Sequence, residues 1–117
     1  MSEIPRLDLH VKSGDTFMRT ISLTDGNGDP INLGGATVEF AIAVSPGGSP
    51  NFYYNSDDDP YFTINAVGGE IEVEIPMSET VKWGRSRYMY DFRVTDLLDR
   101  RLTYFTGTLF VSAAAVQ

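Results

Sequence analysis

Apolar and polar residues alternate with a period of two along most of the chain. Leu7, Leu9 and Val11 stand between Arg6, Asp8, His10 and Lys12. A second run sets Phe17, Ile21 and Leu23 against Met18, Thr20 and Ser22, with Arg19 as an exception on the apolar phase. Successive side chains of an extended backbone point to opposite faces, so each run predicts a strand with one buried face. The longest unbroken case carries Ala36, Val38, Phe40, Ile42 and Val44 on one phase. Ile71, Val73 and Ile75 alternate with three glutamates, and Tyr88, Tyr90, Phe92 and Val94 repeat the pattern nearer the C-terminus.

The breaks between these runs are rich in Gly, Pro, Asn and Asp, the residues that turns require. They fall at Ser13-Gly14-Asp15, at TDGNGDP (24–30), at SPGGSP (45–50), at SDDDP (56–60), at Val67-Gly68-Gly69 and at Asp96–Asp99. Phe52–Tyr54 predicts a short edge strand, and Phe62 and Ile64 predict a hairpin with residues 71–75. A helical turn is expected over Ser78–Trp83, capped by Ser78, with Pro76 stopping the preceding strand and Gly84 ending the turn. In the last strand, from about Arg101 to Ser112, the apolar phase moves from Leu102 and Tyr104 to Leu109 and Val111, and a bulge near Gly107 would produce that shift.

About seven or eight strands with almost no helix predict an all-β fold, a single antiparallel sandwich covering 1–117. Tyr88 sits where a tyrosine corner would open the penultimate strand of an immunoglobulin-like sandwich. At 117 residues the chain is long enough for one core and short for two. Residues 1–5 and 113–117 read as contact tails.

Charge narrows the classes of partner. Sixteen acidic residues against nine basic ones give a net charge of -7, and apart from Arg85/Arg87 and Arg100/Arg101 the basic residues are scattered, which argues against nucleic acid as a partner. No cysteine is present, so the fold depends on packing without disulfides or thiolate-held zinc. The opening MSEIPRLDLH lacks the features of a cleaved signal, and no run is long and apolar enough to predict a membrane helix. Neither a cofactor nor a membrane partner is expected.

Two acidic loops are weak metal candidates. Asp25, Asn27 and Asp29 match the first three ligand positions of a calcium loop, but Pro30 stands where that loop needs glycine and Ala36 where it needs glutamate. Asp-Gly and Asn-Gly are also favoured turn dipeptides, and a turn is the preferred reading. Asp57, Asp58 and Asp59 offer further oxygen ligands, although a run of like charge is more often a solvated loop. His10, the one histidine, lies on a polar strand face with no nucleophile motif beside it, and Glu70, Glu72 and Glu74 form an outward ladder. No catalytic residues are expected. Phe52, Tyr53, Tyr54, Tyr61 and Trp83 lie in or beside loops, either as a partner- or glycan-stacking surface or as cover for the open end of the sandwich.

The segments GDTFMRTISLTDGNGDPINLGGATVEFAI, GGEIEVEIP, SETVKWG and RYMYDFRVTD together resemble small immunoglobulin-like structural domains of tailed bacteriophage virions, similar to the N-terminal domain of baseplate upper proteins. The likeness runs from about Gly14 to Val111 and its motifs are structural ones. It implies a non-enzymatic virion protein, made in the host cytoplasm, that forms homo-oligomers and contacts other virion proteins. Tail, baseplate or neck is favoured, with head decoration as the other position. The alternative from a different class is a carbohydrate- or calcium-binding module built on the tyrosines and aspartates above.

Overall fold

The computed structural model describes residues 7–45 and 49–112, except for the side chains of Thr103 and Tyr104. Eight strands form: β1 (Leu9–Lys12), β2 (Phe17–Ser22), β3 (Thr37–Ala43), β4 (Phe52–Asn55), β5 (Phe62–Asn65), β6 (Glu70–Ile75), β7 (Arg87–Thr95) and β8 (Arg101–Ser112). One helical turn, α1 (Met77–Thr80), joins β6 to β7. The strands make two sheets, β1-β8-β7-β3-β4 and β2-β6-β5. The inward phase of each sheet closes on the other over a single core cluster. The fold is an immunoglobulin-like β-sandwich, as the alternation predicts.

The tyrosine corner forms. Tyr88 is buried at the start of β7, and its hydroxyl accepts a hydrogen bond from the Arg85 backbone N–H at 3.1 Å. Tyr90, two residues on, occupies the place where a disulfide cysteine stands in antibody domains. Here aromatic rings join the sheets instead. Phe40 on β3 lies 5.9 Å from Phe17 on the opposite sheet and 5.6 Å from Tyr90.

Four local expectations change. All pairings are antiparallel except β1 with β8, which run parallel. A parallel pair cannot be closed by a tight turn, and here nearly the whole chain intervenes between the two strands. The bulge lies at Leu102, where Val94 faces Thr103 but Thr95 faces Arg101, while the register through Gly107 is continuous. Gly107 has a different reason to be glycine, since a Cβ there would lie 2.1 Å from the Leu7 carbonyl oxygen. The helical turn is capped by Pro76 without a side-chain bond, and Ser78 lies inside it. Leu7 is exposed rather than part of the buried phase, because the chain reaches strand geometry only from Leu9. The contact tails proposed at 1–5 and 113–117 lie outside the described residues.

Candidate functional site

In both acidic loops carboxylates are engaged within the loop, those of Asp25, Asp58 and Asp59. In TDGNGDP the Asp25 carboxylate accepts the backbone N–H groups of Asn27 and Asp29, at 2.8 and 3.1 Å. The Asp25 carbonyl accepts the Gly28 N–H, and Gly28 adopts φ +85°, a conformation natural to glycine. An isolated bridge between Thr24 and Pro30 closes the bend. The stretch is thus an Asx-stabilised turn between β2 and β3.

The second loop is organised by Asn55. Its side-chain oxygen accepts the N–H groups of Asp57 and Asp58, its amide donates to the Asp58 carboxylate, and its backbone N–H donates to the Asp59 carboxylate. Among the described residues no group of three or more acidic or histidine side chains converges in a metal-holding arrangement. His10 is exposed on β1, where its ring stacks on Phe110 at 4.9 Å. Glu70, Glu72 and Glu74 point outward along β6.

The aromatic candidates separate into core and surface. Trp83 is 1% exposed and Tyr54 4%, which corrects the expectation that they present a contact surface. A turn after β6 that carries one large ring is driven to bury it, and Trp83 folds back into the open end of the sandwich. Its indole N–H donates to the Tyr54 hydroxyl at 3.2 Å, and that hydroxyl donates to the Glu79 carboxylate at 3.1 Å. Lys82 completes the relay with a 2.9 Å ion pair to Glu79. Its hydrogen bond is the main cause that lowers the Glu79 carboxyl below the usual range. Burial pushes the Tyr54 phenol well up. Phe52 and Tyr61 are half-buried against this cluster, Phe52 beside Trp83 and Tyr88, and Tyr61 beside Tyr54. Tyr53 is the exposed member of the set.

Tyr53 belongs to a polar network on the outer face of the larger sheet. Its hydroxyl donates to one Glu39 oxygen at 2.6 Å, while Arg93 holds the other with two N–H groups at 2.9 and 3.1 Å. The hydrogen bond to Glu39 pushes the Tyr53 phenol up to about 12. These three side chains bond to one another in a shallow hollow also bordered by Asp91 and Arg101.

Arg19, the exception on the apolar phase of β2, has a task that alternation alone does not show. Its guanidinium reaches from β2 to the His10 carbonyl on β1 at 3.0 Å and to its neighbour Met18 at 2.9 Å, over the ring of Phe17. It therefore bridges the two sheets at their open edge. Beneath it lies an apolar cavity of about 90 Å³ bordered by Leu9, Phe17, Val73, Tyr90 and Phe105.

No protein-family model matches this chain, and no curated protein matches it in sequence. Among solved structures it is similar to the extracellular domain of the voltage-gated sodium channel beta4 subunit, with 11% identity over 97% of each chain and a TM-score of 0.43. The report on that protein describes parallel homodimers and a role in cell-cell adhesion. So low a likeness carries nothing about binding or assembly to this chain.

Proposed function

We propose that this protein is a non-enzymatic structural component of a tailed-phage virion, in the tail, baseplate or neck, acting through contacts with copies of itself and with other virion proteins. The resemblance of its sequence to virion domains supplies the setting. The observation that carries the reading is that the residues most suggestive of local chemistry have structural tasks. Asp25, Asp58 and Asp59 hold loops, while Tyr54 and Trp83 close one end of the core. What remains for recognition is shape, the loops and the edges of two sheets, surfaces that suit repeated docking.

The glycan-binding alternative loses most of its stacking surface, since of the five aromatics Tyr53 alone is exposed and its hydroxyl is committed to Glu39. The test is mass spectrometry of density-purified particles of the phage that encodes the chain. The reading predicts the protein in a fixed ratio to the known tail proteins. Its absence from the particle, with the protein abundant in the infected-cell lysate, would reject the reading.

A further inference from the structure

The two ends of the sandwich differ in charge. Strand β8 has 12 residues and rises about 40 Å, so the molecule's 44 Å axis follows the strands. One end gathers the β2–β3, β5–β6 and β7–β8 connections. It carries the carboxylates of Asp25, Asp29, Glu70, Asp96 and Asp99 against Arg100 and Arg101, and Arg100 is already paired with Asp96 at 2.8 Å. The opposite end gathers the β1–β2 turn and the segment from α1 to β7. There Lys12, Lys82, Arg85 and Arg87 stand against Asp15, Glu74 and Glu79, and Lys82 is already paired with Glu79 at 2.9 Å.

Each end also presents apolar side chains to solvent. Val67, Leu97 and Leu98 are 86, 76 and 71% exposed on the hairpin tips of the acidic end. Turn tips ordinarily carry small polar residues, so three large apolar ones at one end are notable for what they leave uncovered. On the basic end Met77, the first residue of α1, and Val81, just after it, are 62 and 59% exposed.

From this charge complementarity we infer that copies of the chain associate head to tail, the acidic end of one seated on the basic end of the next. Apolar tips meet across the centre of the contact, and Arg85 and Arg87 face the carboxylates of the neighbour's loops. Such a contact joins unlike surfaces, so it builds either a closed ring or an open row, as the rotation between neighbours dictates. It deepens the structural-protein reading above by naming the self-contact. It does not require the particle, so a monomeric chain that is nonetheless present in virions would overturn the contact and leave the virion setting of that reading, with its other partners, standing.

The test is sedimentation velocity of the full chain up to about 1 mM, a concentration at which weak contacts register. The wild type is expected to sediment faster as concentration rises, and less so in 1 M salt, where screening shortens from about 10 Å to about 3 Å. Two variants block one end each: Arg85→Glu with Arg87→Glu, and Val67→Ser with Leu98→Ser. All four side chains are exposed, and an unchanged thermal midpoint verifies folding. Each variant alone should remain monomeric, and an equimolar mixture should form a dimer and nothing larger. A wild type that stays monomeric, a mixture that stays monomeric, or one blocked variant that associates like the wild type would each overturn the inference.

Discussion

At the scale of single residues, Trp83 is the side chain on which the molecule most depends. It touches Phe17, Phe52 and Tyr54, rings contributed by both sheets, and its N–H has a single acceptor in the Tyr54 hydroxyl. Trp83→Ala is expected to cost about 3–5 kcal/mol in urea unfolding. Tyr54→Phe keeps the ring but strands the indole N–H, at about 1–3 kcal/mol. The tyrosines also predict an alkaline limit. Both Tyr53 and Tyr54 are harder to ionise in the folded protein, so their contribution is complete below about pH 10 and fades as pH rises through the folded values, near 12 for Tyr53. Ultraviolet titration should show Tyr54 ionising together with unfolding, and an early, fully reversible ionisation of all six tyrosines with the fold intact would contradict this. Asp25→Ala removes the acceptor of two turn N–H groups and should lower stability by about 0.5–2 kcal/mol, the range of a lost cap. Calorimetric titration with calcium should give the same flat trace for this variant and for the wild type.

At the scale of elements, the turns divide the strands and set their register. Gly69 closes the β5–β6 hairpin at φ +65°, and a Cβ there would lie 2.7 Å from the Leu23 carbonyl oxygen. Gly69→Ala therefore meets both backbone strain and a clash, and should destabilise by more than about 1 kcal/mol in the same unfolding assay. The β7–β8 turn depends on Asp96, whose carboxylate accepts the backbone N–H groups of Leu98 and Arg100. The backbone bond from Arg100 is the first cause that lowers its pKa, so its contribution is present above about pH 4 and is lost as pH falls through the folded value.

Most of this layer was legible from alternation and turn residues, because a period of two with one buried face leaves little freedom. The hidden parts share a cause: each depends on a partner distant in the chain. The parallel β1–β8 pair joins residues about 100 positions apart, the value of glycine at 107 lies in the approach of Leu7, and the task of Arg19 lies in a carbonyl on β1. For Trp83 the sequence leaves contact surface and cover of the open end both standing. A tryptophan in a short turn gives no phase from which to tell core from surface.

At the scale of the whole molecule, the fold separates an interior held by rings from a surface differentiated by end. The interior joins its sheets through Phe17, Phe40, Tyr90 and Trp83 where antibody domains use a disulfide. Nothing in that interior depends on redox state, so a reducing agent should leave the unfolding midpoint unchanged. The surface offers acidic and basic ends, sheet edges and the Glu39–Arg93–Tyr53 face. The role proposed for it is one of position, and position within a particle can be seen. The most direct measurement is immunogold electron microscopy of purified particles with antibody against the folded chain. Label concentrated on the tail, baseplate or neck is the predicted result, and particles that stay unlabelled while the same antibody detects the protein in the infected-cell lysate would contradict the account.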